Sequence, residues 1–307
     1  MSAYHYDEFG LFHENATENG LPFPGAPVVE RLYHVLGDGR TVSALKFGHA
    51  EPEFVFLHGA SMNAHTWDTV AMALQRPCLA LDLPGHGHSS WRNDMQYSPV
   101  DLAADVAPVI AEHAPNSGAI VGMSLGGMAS LVLATGWPEL TRRLVMVDIT
   151  PGTNREKAKA VLDFIDGPQE FASFEALLER TMEHNPTRSE SSLRRGILHN
   201  ARPQADGSWM WRWHRAGRSH TDEVSGEAGS VRADNGVMWN AVSAIACPVL
   251  LVRGGVSPVV DDDDVAEFTR RQPNASVAVV DGAGHSVQGD RPLELAVVLN
   301  DFVPRQV

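Results

Sequence analysis

A serine set between glycines gives the chain its clearest chemical signal. Ser124 lies in the run Gly122-Met123-Ser124-Leu125-Gly126, which follows the apolar stretch GAIVG and precedes a helix-like segment. A serine at a sharp strand-to-helix turn projects its hydroxyl above the sheet, and the flanking glycines remove side chains that would collide there. The structural alternative is a serine that only caps a helix in a glycine-rich turn. The strand-to-helix context favours a nucleophile.

A histidine near the end of the chain could supply the general base. His285 ends the run Asp281-Gly282-Ala283-Gly284-His285, where a late strand breaks into a glycine-rich loop before a final helix. The chain has 14 histidines, but only this one combines a strand end, a glycine loop and a position after the nucleophile. That order suits a serine activated by a histidine.

Two backbone amides are expected to stabilise the oxyanion of a tetrahedral intermediate. One belongs to the residue after the nucleophile, Leu125, and the other to Ala60, which follows the apolar run FVFLHG. We interpret His58 in that run as a loop histidine that hydrogen-bonds to backbone and takes no direct part in the chemistry.

Four motifs in this order resemble the α/β-hydrolase superfamily: HGASMNAHTW, DLPGHGHS, GMSLGG and GAGHSV. The resemblance covers roughly residues 28–151 and 243–303. It implies a Ser-His-acid triad, an oxyanion hole at the two amides named above, a cap inserted after the sixth strand, and no cofactor. His86 and His88 lack the further ligands of a hydrolytic zinc site, so no metal is expected.

The acid of the triad departs from the commoner pattern of this superfamily. Members with the acid after the seventh strand carry Asp in a Gly-x-x-Asp stretch, whereas Ser257 occupies that place here. A variation within the superfamily puts the acid after the sixth strand, where Asp148 follows the run LVMV. We therefore predict Asp148, with Asp261 as the alternative acid. Asp148 could instead cap the first helix of the insertion.

The elements that must position these residues indicate an α/β fold. Eight strand-like runs recur, the first two as an antiparallel hairpin around Gly37-Asp38-Gly39, and the later ones apolar throughout, as in parallel strands covered on both faces. Helices are predicted at 66–75, 98–113, 125–136, 261–271 and 291–303. We expect an α/β-hydrolase fold with an eight-stranded, mostly parallel sheet. Its domains are an N-terminal arm (1–27) without helical or strand periodicity, a core (28–151 and 243–307) and a helical lid (152–242).

Aromatic residues of the lid have two open interpretations. Trp209, Trp211 and Trp213 alternate at a strand-like period, and with Trp239 and Met123 they could line an apolar pocket above Ser124. They could equally form an ordinary lid core. The neighbouring Arg212, Arg215 and Arg218 suggest a site for a substrate carboxylate.

Composition excludes several partners. The 307-residue chain carries a net charge of -14, which repels nucleic acid and anionic membranes. It has no apolar run long enough to cross a bilayer, and its first residues show no secretory leader, so a cytoplasmic location is expected. Cys78 and Cys247 lie in separate strand-like runs and are expected to be buried free thiols. The expected partner is a small-molecule substrate; a homodimer stays open.

Together these residues predict a serine hydrolase that cleaves a small, largely apolar ester, lactone, thioester or amide through an acyl-enzyme. Three alternatives remain: a carbon-carbon bond hydrolase, a cofactor-independent oxygenase, and a ligand-binding member of the fold with weak catalysis.

Overall fold

The computed structural model describes residues 6–186, 188–215 and 235–305. In chain order the strands are β1 (Val29–Val35), β2 (Thr41–Phe47), β3 (Phe54–Leu57), β4 (Cys78–Leu81), β5 (Ala119–Met123), β6 (Leu144–Val147), β7 (Glu170–Phe171), β8 (Ala201–Pro203), β9 (Trp209–Trp211), β10 (Val249–Gly254) and β11 (Ser276–Val280).

The helices follow the same order. They are α1 (Phe12–Glu18), α2 (Asp68–Leu74), α3 (Pro99–His113), α4 (Leu125–Gly136), α5 (Lys159–Ile165), α6 (Phe174–His184), α7 (Glu190–Asn200), α8 (Asn235–Ala244), α9 (Asp262–Arg271), α10 (Val287–Asp290) and α11 (Pro292–Phe302). Two short 3-10 helices cover Ala64–Trp67 and Pro138–Leu140.

Eight strands form the central sheet, in the order β1-β2-β4-β3-β5-β6-β10-β11. The pairs β1/β2 and β2/β4 are antiparallel, and the remaining pairs are parallel. The predicted hairpin and the predicted mostly parallel sheet are both confirmed. Because parallel strands end at the same edge, the loops after β3, β5, β6, β10 and β11 meet there.

Successive side chains of a strand face opposite sides of the sheet, and here each side packs against its own layer of helices. Phe54 and Phe56 of β3 join the cluster that includes helices α2 and α11, whereas Val55 and Leu57 join the one that includes α3 and α4. All residues of β3, β4, β5 and β6 are buried. The fully apolar strands in the sequence therefore reflect a sheet covered on both sides.

The insertion after β6, which was predicted as a lid and is called the lid below, contains α5, α6, α7 and a small antiparallel sheet in the order β7-β9-β8. The strand-like alternation of the tryptophans is confirmed by β9, but the small sheet as a whole was not predicted. Helix α8 packs against α4 and α9 and buries Met238 and Val242 in the core. Helix α8 thus packs with the helical layer of the core, although it falls within the range predicted as lid (152–242).

The N-terminal segment contains a helix that the sequence did not reveal. Helix α1 buries Phe12 and Ala16, one turn apart, and Phe12 joins the core cluster. A helix of 7 residues shows only two apolar positions at helical spacing, too few for periodicity to be recognised. The segment therefore packs onto the domain, and the expectation of no helix in it was wrong.

The two cysteines are free thiols as expected, Cys78 buried and Cys247 half-buried. None of the described helices is long and apolar enough to cross a membrane.

Candidate active site

Ser124 occupies the turn between β5 and α4 in a strained conformation. Its φ is 50° and its ψ is -117°, a left-handed φ that non-glycine residues seldom adopt. The flanking glycines permit this close turn: a Cβ on Gly122 would lie 2.3 Å from the carbonyl oxygen of Gly126, and one on Gly126 would lie 2.4 Å from that of Leu57. The half-buried Ser124 lines the large cavity beneath the lid.

Asp148 and His285 come together from different strand ends. Oδ2 of Asp148 lies 2.8 Å from Nδ1 of His285, and the Asp148 carboxylate is fully buried. The amide of Gly254 donates to Oδ1 at 2.9 Å. Asp148 also has a left-handed φ of 49°, so the chain turns sharply at the end of β6 to aim this carboxylate. A buried carboxylate held in this way fixes the orientation of an imidazole.

Ser257 is a residue of the site whose role the sequence did not reveal. Its hydroxyl donates to Oδ2 of Asp148, the oxygen that also faces His285. Ser257 occupies the position at which most members of the superfamily carry the acid. Because Asp148 ends the strand β6, the sequence could have suggested that the side chains of Ser257 and Asp148 meet.

The alternative acid, Asp261, lies elsewhere. It caps helix α9 through the amide of Asp264, and its carboxylate pairs with Nζ of Lys157 at 2.7 Å. The hydrogen bond from Lys157 is the main reason that its pKa falls to about 2. The acidic run therefore complements the start of a helix, as the sequence indicated.

The two predicted oxyanion donors belong to different loops of the site. Leu125 is the first residue of α4, where an amide has no partner within the helix. Ala60 lines the cavity in the loop after β3. Asn200 of α7 donates to the carbonyl of the adjacent Ser61 at 2.6 Å, which joins the lid to this loop.

His58 holds the loop after β3 in place. Its Nδ1 lies 2.7 Å from the carbonyl oxygen of Gly59, and its Nε2 accepts the amide of Leu83 at 2.9 Å. Burial lowers the pKa of His58 to about 4, so it is neutral and joins the loops after β3 and β4. The hydrogen bonds to backbone are as expected for this residue.

A model of the alpha/beta hydrolase family matches residues 54–298. The chain belongs to this family. It is 41% identical to esterase Rv0045c of Mycobacterium tuberculosis over 95% of this chain and 94% of the relative. It is also 27% identical to the 2-(acetamidomethylene)succinate hydrolase of Mesorhizobium japonicum, over 86% of this chain and 92% of that one.

A solved structure of the M. tuberculosis esterase superposes with a TM-score of 0.84 at 40% identity, covering 97% of this chain and 99% of the other. The α/β-hydrolase fold and a hydrolytic enzyme are thus confirmed. The roles of individual site residues stay predictions.

The cavity of this α/β-hydrolase has a volume of about 770 Å³ between the core and the lid. Ser124, His285, Ala60 and Met123 line it from the core, and Trp211 lines it from the lid. Met123 is itself fully buried. Of the predicted pocket residues, Met123 and Trp211 thus line the cavity, and their contact with substrate stays a prediction.

The other tryptophans do not line this cavity. Trp209 and Trp213 pack with Leu177 and Ile197 in the lid core, in the same cluster as Trp211. Trp239 lies on α8 under the guanidinium of Arg271, 5.4 Å from its ring. For these three the pocket interpretation is corrected.

Two of the three arginines that were expected to bind a carboxylate, Arg212 and Arg215, lie outside the cavity lining as well. The amide of Arg212 bonds to Asn200, and Nη1 of Arg215 donates to the carbonyl of Gly167 at 3.3 Å. Arg218 lies outside the described residues.

A buried cluster beside the cavity joins the N-terminal segment, the core and the lid. The rings of His65 and His199 stack 3.7 Å apart at 14°, and Nδ1 of His65 lies 2.9 Å from Asp68. The two histidines and Asp68 could in principle hold a metal ion. Ring nitrogens donate in the ring plane, however, and nearly parallel stacked rings do not direct their lone pairs to one point.

Burial by itself would lower the pKa of His65, but Asp68 and Glu8 outweigh it and raise that pKa to about 9. Burial lowers the pKa of His199 well below its usual value, so a neutral ring stacks on a charged one. Tyr6 closes the cluster with a hydrogen bond to Nδ1 of His199 at 2.5 Å. We interpret the cluster as a structural ion pair.

Proposed function

We propose that this protein is a serine esterase that acts on small carboxylic esters through Ser124, His285 and Asp148. The observation that carries the proposal is the 2.8 Å contact between Asp148 and His285 at the rim of the cavity that Ser124 lines. A buried acid behind a histidine, next to a serine on a strained turn, is the arrangement that generates an alkoxide-like nucleophile. The name of the 41%-identical esterase supports the ester substrate.

In the proposed reaction, Nε2 of His285 takes the hydroxyl proton as Ser124 attacks the ester carbonyl carbon. The oxyanion forms between the amides of Ala60 and Leu125. His285 then gives the proton to the departing alcohol, and an acyl-Ser124 intermediate remains. Water, deprotonated by His285, releases the acid and restores the serine.

Asp148 has a positioning role in this scheme. Its Oδ2 accepts from Nδ1–H of His285, which leaves Nε2 free to accept the serine proton. Gly254 and Ser257 donate to the same carboxylate and keep it oriented. The imidazolium that forms during the attack is stabilised by this buried negative charge.

Hydrolysis of 4-nitrophenyl acetate, butyrate and octanoate tests the proposal. We expect turnover by the wild type, and a loss of kcat by about 10³-fold or more in Ser124→Ala, as for the removal of a triad member. Ser243→Ala, at an exposed serine of α8, is the matched control and should retain full activity. Equal rates for wild type and Ser124→Ala would refute the esterase mechanism.

A further inference from the structure

Arg188 places a guanidinium in the wall of the cavity. It lies in the lid just before α7 and is one of the residues that line the cavity together with Ser124 and His285. A Cβ built on Gly289 of α10 would lie 3.2 Å from Nη1 of Arg188. Because α10 begins two residues after His285, this contact puts the guanidinium against the helix that follows the histidine loop.

The donors of Arg188 are largely unused. Nη2 donates to the hydroxyl of Ser192 at 2.6 Å, while Nε is enclosed without a hydrogen-bond partner. Within the described part of the chain, no carboxylate forms an ion pair with this guanidinium. A guanidinium offers five N–H donors, so most of them remain available to a ligand.

Two other cations that line the cavity are engaged with carboxylates. Arg195 pairs with Glu14 and Glu18, and Lys157 pairs with Asp261 and Asp264. Asp290, the acid that most favours the charged form of Arg188, accepts the amide of Gly284 at 2.9 Å.

The electrostatics of Arg188 agree with its unused donors. Burial lowers the pKa of Arg188 against the attraction of Asp290 and Glu18, which means that its charge is incompletely compensated. An enclosed cation is costly unless it is paired and hydrogen-bonded. An arginine is suited to bind a carboxylate through two parallel hydrogen bonds.

We propose that Arg188 binds a carboxylate of the substrate, so that the preferred substrates are esters carrying a second, ionised carboxylate, such as monoesters of short dicarboxylic acids. The Ser192 hydroxyl, which accepts from Arg188, donates its own hydrogen to the same carboxylate. This inference rests on the proposed esterase activity, since it names the substrate class of that site. The sequence suggested Arg212, Arg215 and Arg218 as ligands of a substrate carboxylate, and this proposal assigns that role to Arg188 instead.

Two 4-nitrophenyl esters of equal length test the proposal: mono-4-nitrophenyl glutarate, which is anionic, and its neutral counterpart, methyl 4-nitrophenyl glutarate. The wild type should prefer the anionic ester in kcat/KM. Arg188→Gln should lower kcat/KM for the anionic ester by about 10-fold or more, as expected for lost charge-assisted hydrogen bonds, and for the neutral ester by less than about 2-fold. Arg188→Lys should recover part of the preference.

Arg194→Gln is the matched control, because Arg194 is an arginine of α7 that pairs with Glu14 at 2.7 Å and does not line the cavity. It should keep the wild-type ratio between the two esters. An unchanged ratio in Arg188→Gln, or equal losses on both esters, would overturn the proposal.

Binding of free glutarate, measured by calorimetry, separates this inference from the esterase proposal. We expect glutarate to bind the wild type and Ser124→Ala, and to bind Arg188→Gln at least about 10-fold more weakly. If neither ester is hydrolysed but this difference in binding is found, the esterase proposal fails and the carboxylate site stands. Equal binding to wild type and Arg188→Gln would refute the site.

Discussion

The hydroxyl of Ser257 and Nδ1 of His285 share one oxygen of the Asp148 carboxylate. Ser257 lies in the loop after β10, where the superfamily's commoner acid would stand, whereas Asp148 lies at the end of β6. The two positions lie after neighbouring strands, and their side chains meet at the Asp148 carboxylate. In the proposed triad the neighbouring strand supplies the carboxylate, and the usual acid position supplies a hydroxyl that donates to it.

The first prediction concerns the identity of the acid. Asp148→Asn should lower kcat on 4-nitrophenyl esters by about 10³-fold or more. The amide would favour the wrong tautomer of the His285 imidazole, and it would not stabilise the positive charge of the imidazolium. Asp261→Asn is the matched control, because Asp261 pairs with Lys157 at the start of α9, and should change kcat by less than about 3-fold. Equal, mild losses in both variants would remove Asp148 from the triad.

The second prediction moves the acid. In the Asp148→Asn background, Ser257→Asp should raise kcat by about 10-fold or more, because the new carboxylate starts from a position that already meets the Asp148 side chain. Ser257→Asn in the same background has the same size without the charge and should give no rescue. If Ser257→Asp and Ser257→Asn both restored activity, or if neither did, position 257 could not supply the acid in place of Asp148.

The third prediction concerns the stability of the buried cluster as pH changes. The pKa of His65 is raised from 6.5 to about 9 in the folded protein. The folded state thus retains the proton longer than the unfolded state, and the stabilisation is complete below pH 6.5 and is lost as pH rises through about 9. The free energy of unfolding should fall by a few kcal/mol over this range, since one pKa unit corresponds to about 1.4 kcal/mol.

Urea unfolding of the wild type and His65→Gln at several pH values checks this prediction. Other groups also titrate, above all Cys78, whose thiol pKa is raised by burial. The difference between the two proteins is therefore the quantity to follow. It should shrink between pH 6.5 and 9.5, and a constant difference would show that His65 is not charged in the folded state.

The fourth prediction concerns the helix that the sequence concealed. Phe12 of α1 is buried in the main core cluster, so Phe12→Ala should lower the free energy of unfolding by about 3 kcal/mol or more. Val35→Ala, at an exposed position of β1, should change it by less than about 0.5 kcal/mol. A similarly small effect of Phe12→Ala would mean that α1 does not support the core in solution.

The sequence predicted the elements of the core closely because their patterns are long and local. All eight strands of the central sheet were recognised from apolar runs, and the helix expected at 98–113 begins after Ser98, which caps it. Glycines around Ser124 and before His285 marked the turns that carry the chemistry. Asp148 could be proposed because it ends an apolar strand.

The rest depended on contacts between distant parts of the chain. Helix α1 is stabilised by packing on the core and by ion pairs of Glu14 and Glu18 with the lid, none of which a short segment reveals. That Trp211 lines the cavity whereas Trp209 and Trp213 do not depended on how the lid packs over the core. Arg188 was overlooked because nothing in its neighbourhood in the sequence indicates the cavity. A homodimer remains a prediction.

The central claim is that Ser124 is a nucleophile activated by His285, and intact-mass analysis after treatment with a fluorophosphonate tests it most directly. We predict a single covalent adduct on the wild type and on Asp261→Asn, and none on Ser124→Ala or His285→Ala. An adduct that persists in Ser124→Ala, or a wild type that forms none, would contradict the account.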